Sequence, residues 1–148
     1  MRIEIPRWNQ LPDIALYMDQ VLLVMGGILE PLSAEVTSTM INNYVKMKLT
    51  PPPEKKKYTK SHLACFLMIC LLKKVLSMTE IDTLKTRLFD RYPPEEGYDL
   101  FCRELELRVE NLDGADSPDC PPLLAAAVRA VACKIRVEQI LSEKTEEN

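Results

Sequence analysis

The sequence predicts an all-α fold of six helices with at most one small β element, on three observations. Prolines punctuate the chain at Pro31, Pro51-Pro52-Pro53, Pro93-Pro94 and Pro121-Pro122, and each one disfavours helix at or just before it. Between them, apolar residues recur at three- and four-residue spacing. Residues able to cap a helix N-terminus stand where those patterns start, at Asp13, Thr37, Thr59 and Ser77.

Taken in order, a short arm containing Trp8 leads to Asp13, the expected cap of a helix running to about Leu29. Ile14, Met18, Val21, Met25 and Ile28 share one face of it, with Tyr17 and Val24 beside them. Gly26-Gly27 weaken that helix near its end and Pro31 breaks it. Thr37 then caps a short helix of about ten residues, STMINNYVKMK, which holds no acid. The triproline should run extended, and Glu54-Lys55-Lys56-Lys57-Tyr58 comes after it as a basic loop or short ribbon. Thr59 restarts helix in KSHLACFLMICLLKKVL, which is apolar nearly all round, as the central helix of a bundle would be. Ser77-Met78-Thr79-Glu80 is a capping-box pattern that opens a helix to about Phe89. A helix from about Glu95 to Leu112 comes next, then the loop DGADSPDCPP, and last an alanine-rich helix from Leu123 to about Ser142. Two regions are expected, 1–92 and 93–148, able to pack as one compact unit.

With 47% hydrophobic and 28% charged residues in 148, the chain can bury a real core. Its longest apolar stretch, Leu63 to Leu72, is half the roughly twenty residues that span a bilayer. The opening MRIEIPRWNQLPD has charges and prolines where a secretory signal has an apolar run, so a cytoplasmic location is expected. Five cysteines without a CxxC pair read as free, mostly buried thiols. His62 is the single histidine, better suited to a capping or surface role than to a metal site. The chain has no GxGxxG, P-loop or GxSxG motif. No enzymatic activity, cofactor or metal is expected.

The net charge of −3 hides two poles. From Ser38 to Lys74 there are eight lysines and one glutamate, a net +7, leaving −10 for the remainder. Lysines that neutralise phosphates release condensed counterions, so such a block can supply salt-sensitive affinity for DNA in an acidic protein. The order of features is the layout of a winged helix-turn-helix: short polar helix, extended basic loop, capped apolar helix, second capped helix. On that layout Ser38, Thr39, Asn42 and Asn43 face bases, asparagine being suited to adenine edges. Lys46, Lys48, Lys55, Lys56, Lys57 and Lys60 hold phosphates. The stripe Leu124, Val128, Val131 and Ile135 on the last helix reads either as core or as the seam of a homodimer matched to a two-fold operator.

Met40 to Ile81 resembles the DNA-binding half of the MerR-type regulators. Ile41, Tyr44 and Leu49 fall on that family's recognition-helix leucine, second tyrosine and exit leucine. Tyr58, Leu63 and Ile69 fall on its wing tyrosine and following helix, and Ser77, Glu80 and Ile81 on its last segment. The N-terminal half, with LPDIALYMDQV, is similar to an uncharacterised bacterial family, domain of unknown function 1836. The MerR resemblance implies double-stranded DNA as partner, a homodimer, an effector (small molecule or protein), and Tyr58 among the DNA contacts. Departures from that pattern include Asn42 in place of an arginine, Lys48 in place of a helix-ending glycine, and a wing without its glycine turn. The rival expectation is a protein-interaction module that keeps the helix-turn-helix and has lost DNA.

Overall fold

The structure, a computed structural model, describes residues 3–143. Among them are six α-helices: α1 (Met18–Leu29), α2 (Ser38–Lys46), α3 (Lys60–Leu72), α4 (Met78–Arg91), α5 (Pro94–Glu110) and α6 (Pro122–Ser142). Short 3-10 turns at Trp8–Gln10 and Glu30–Leu32 accompany them. No sheet forms among the described residues, and two isolated antiparallel bridges, Leu16 with Tyr58 and Glu54 with Lys57, are the whole β content there. The all-α expectation holds.

α3 has no polar face, so it must be surrounded. Ten of its thirteen residues are buried, from His62 to Leu72 with only Cys65 less so. α1, α5 and α6 pack against it, and α5 and α6 form the most extensive helix pair. A single cluster of buried side chains runs from Ile3 to Ile135, across the 92/93 boundary between the two expected regions.

The N-terminal arm belongs to this core. Ile3, Ile5 and Leu11 are buried, and α5 holds the arm by polar contacts. The Arg7 guanidinium donates to both oxygens of Glu106 (2.8 and 3.0 Å), the Ile5 amide to Glu106 (2.6 Å), and the Trp8 amide to Asp99 (2.8 Å). The Tyr98 hydroxyl donates to Pro6 O (2.7 Å), with the Trp8 ring edge-on to Tyr98. These polar pairs lie more than ninety residues apart in sequence, and no local pattern announces them.

Three caps fall where the residue types place them. Thr37 Oγ1 accepts from the Met40 amide (3.2 Å). Ser77 and Glu80 form a reciprocal capping box (3.1 and 2.8 Å). Thr59 precedes α3, whose third residue, His62, accepts the Thr59 amide through Nδ1 (3.0 Å). Asp13 is different. It does not cap α1, which starts at Met18 after Tyr17; it pairs with Lys60 (3.3 Å). Residues 13–17 run outside the helix because the Leu16 and Tyr58 backbones exchange two hydrogen bonds (2.9 and 2.7 Å). Ile14, expected on the helix's apolar face, and Tyr17, expected beside it, are therefore exposed.

The stripe that reads as either core or dimer seam is buried within the chain. Leu124, Val128, Val131 and Ile135 are 0–2% exposed beneath their own chain. An alanine-rich helix with one broad apolar face buries it on whatever is nearest, and here α5 lies against it.

The cysteines are free. Burial pushes the Cys70 and Cys120 thiols up to about 11 and Cys102 up to about 12, and it raises Cys65 as well. Only Cys133 is exposed. A thiol reagent at neutral pH should therefore modify one cysteine quickly in the native protein, Cys133, and all five in denaturant; fast loss of several native thiols would contradict the burial. The raised values also set an alkaline limit. A thiol harder to ionise when folded stabilises fully below its unfolded value, and that contribution disappears as pH rises through the folded values. Urea midpoints should accordingly fall between about pH 9 and 12.

Candidate nucleic-acid interface

α2 buries Ile41 and Tyr44 and exposes Ser38, Thr39, Asn42, Asn43 and Lys46. Its amphipathic pattern leaves the expected base-facing residues on one open polar surface. Tyr44 sits in the core, tilted against Phe66, its hydroxyl 3.8 Å from Cys70 Sγ. Burial raises its phenol well above the usual tyrosine range.

The helix ends on Lys48 in the left-handed conformation, φ 62°. The Leu49 amide donates to Tyr44 O and the Lys48 amide to Val45 O, both 3.0 Å. This is the double hydrogen-bond closure that glycine usually supplies, since a Cβ is strained there. Lys46 and Lys48 share a shallow groove with Leu49, Thr50, Pro51 and Pro52.

His62 fixes the path of the triproline. Its Nδ1 accepts from the Thr59 amide, so the proton resides on Nε2, which donates to Pro51 O (3.1 Å) with Pro52 O at 3.3 Å. The ring stands edge-on to Tyr58 and packs near Phe66. One buried imidazole thus caps α3 and ties Pro51 and Pro52 to it. The residue type is readable in sequence as a cap; the clamp on Pro51 is not, because proline carbonyls carry no sequence signal for their acceptor role.

After the triproline the chain reverses in four residues. Glu54 and Lys57 exchange backbone hydrogen bonds (3.1 and 2.9 Å) around Lys55 at φ 53° and Lys56 at φ 65°. Two successive left-handed residues favour Asn-Gly and cost L-residues on the order of 1 kcal/mol each. Both lysines are exposed.

The basic block divides by its contacts. Lys57 lies over the Tyr17 ring (5.2 Å), Lys73 over the Tyr44 ring (5.8 Å), and Lys60 pairs with Asp13. Lys74 pairs with Glu138 of α6 and donates to Ser33 O (2.7 Å). Lys46, Lys48, Lys55 and Lys56 make no ion pair among the described residues. Tyr58, expected on DNA, is 4% exposed and lies edge-on to Phe66 at 5.6 Å. Its ring fills core space and is not available to a phosphate.

Residues 6–101 match the family model described as domain of unknown function (DUF1836). The chain belongs to this family. The DUF1836 region takes in the arm from residue 6, α1 to α4 and the first part of α5, and so contains α2, the triproline, the lysine turn and the His62 clamp. That agrees with the resemblance carried by LPDIALYMDQV; the match carries no support for a MerR-type relationship. No curated protein and no solved structure matches the chain. No group of three or more potential metal-ligating side chains gathers among the described residues, and no helix there is long and apolar enough to cross a membrane.

Two substitutions test this geometry. Replacing Lys48 with glycine relieves the strained helix end and should raise stability by about 1 kcal/mol, a melting-temperature gain of about 2–4 °C by calorimetry; a loss would place the strain elsewhere. His62→Ala removes a buried imidazole that bonds the Thr59 amide and the Pro51 carbonyl and should cost about 2–3 kcal/mol in urea titration, with faster amide exchange at Thr59. His62→Gln, which can still accept from the Thr59 amide, should recover part of that loss.

Proposed function

We propose that this DUF1836 protein is a DNA-binding transcriptional regulator in which α2 enters the major groove. On this reading Ser38, Thr39, Asn42 and Asn43 face base edges. Lys46, Lys48, Lys55 and Lys56 hold the flanking phosphates, with the Glu54–Lys57 turn in the place of a wing. The observation that carries it is the lysine pair at positive φ. Backbone strain persists where something else requires it, and an exposed turn that uses Lys-Lys where Asn-Gly is less strained keeps two charges at a fixed, projecting position. The unpaired state of those lysines in a chain with 22 acidic residues supports the same reading. A homodimer reading a two-fold operator completes it, with a surface other than the buried α6 stripe as its seam.

Binding to a duplex of about 30 base pairs, monitored by fluorescence anisotropy across a salt series, tests the proposal. Each phosphate-bound lysine adds about 0.9 to the slope of log K against log salt. Lys55→Ala/Lys56→Ala should flatten the slope by about two units, whereas Lys57→Ala/Lys60→Ala, whose ammonium groups face Tyr17 and Asp13, should change it by much less. Equal slopes for the wild type and the Lys55/Lys56 variant would remove the turn from DNA binding and favour a protein-interaction role.

A further inference from the structure

A cleft of about 380 Å³ opens between α4 and the start of α6. Its floor is apolar: Leu84, Leu88 and Leu124 line it from within the core, and Leu123 forms part of the wall at 37% exposure. Arg87 and Arg91, one turn apart on α4, stand at its rim. Neither guanidinium has a carboxylate partner among the described residues; Arg91 lies over the Tyr92 ring at 5.4 Å. Like charges four residues apart on a helix repel, and Asp90, the acid between them in sequence, closes no ion pair with either.

The positive end of α6 adds to them. Pro121 occupies the N-cap and has no side chain to accept a hydrogen bond, and Pro122 is the first helical residue. The Leu123 and Leu124 amides therefore begin the helix without a capping acceptor. Two arginines and a helix start of the same sign thus surround one apolar cavity of small-ligand size.

We propose that this cleft binds a small apolar carboxylate, with the acyl or aryl body on Leu84, Leu88 and Leu124 and the carboxylate between Arg87 and Arg91. A carboxylate matches the planar two-donor edge of a guanidinium, and an apolar body displaces water from a floor that offers it no hydrogen-bond partner. The site is separate from the lysine turn and does not depend on DNA binding.

Decanoate titrated into the full-length protein, monitored by methyl chemical shifts and calorimetry, is the test. The expected result is saturable binding with shifts concentrated on Leu84, Leu88, Leu123 and Leu124. Arg87→Gln/Arg91→Gln, at two exposed positions, should weaken it by on the order of tenfold or more while the far-UV spectrum and a cooperative melt are retained. Decanol should bind the wild type no more tightly than decanoate binds that variant. Equal binding of decanol and decanoate by the wild type, an unaffected Arg87→Gln/Arg91→Gln variant, or shifts away from these leucines would overturn the proposal.

Discussion

The burial of α3 is the constraint on which the rest of the molecule depends. A thirteen-residue helix with ten buried positions offers no face to water, so every neighbour is recruited to cover it. Each large apolar side chain removed from water contributes roughly 1.5–3 kcal/mol, which is ample to decide where α1, α5 and α6 lie. The helix's first turn carries the one polar exception. His62 is buried with its hydrogen bonds satisfied on both ring nitrogens, and in meeting its own needs it fixes the triproline. The position of the lysine turn is therefore a consequence of packing inside the protein, reached through one imidazole.

Much of this is legible in sequence because it is local. Thr37, Ser77 with Glu80, and Thr59 act within three residues of themselves, and the prolines act on their immediate neighbours, so five of the helix starts can be placed to within a residue or two. Asp13 defeats such a reading because the backbone pairing of Leu16 with Tyr58, 42 positions apart, holds residues 13–17 out of the helix; a capping residue ahead of such a distant pairing looks no different in sequence. The stripe Leu124, Val128, Val131, Ile135 is ambiguous in sequence for another reason. Apolar spacing reports that a face is buried and is silent on whether its own chain or a second copy buries it. Tyr58 points to DNA only through resemblance, and the Leu16 bridge with the Phe66 contact instead turns it inward.

The candidate interface is half visible in sequence. The block of eight lysines can be counted there, but its division cannot. Lys74 joins α6 to the chain before α2, Lys60 holds the α1 approach, and Lys57 and Lys73 lie on tyrosine rings. These charges serve the fold. Four lysines remain, three of them on left-handed backbone that their side chains disfavour. The remainder of the chain carries a net −10, and on the proposed reading that like charge disfavours other orientations towards a polyanion.

The most direct measurement of the central idea, that α2 and the lysine turn form one DNA-facing surface, is an amide chemical-shift map of the protein titrated with duplex DNA at low salt. Shifts confined to Ser38–Lys48 and Glu54–Lys57, and reversed by added salt, are the predicted result. Shifts centred on α5 or α6, or none in Ser38–Lys48, would contradict it.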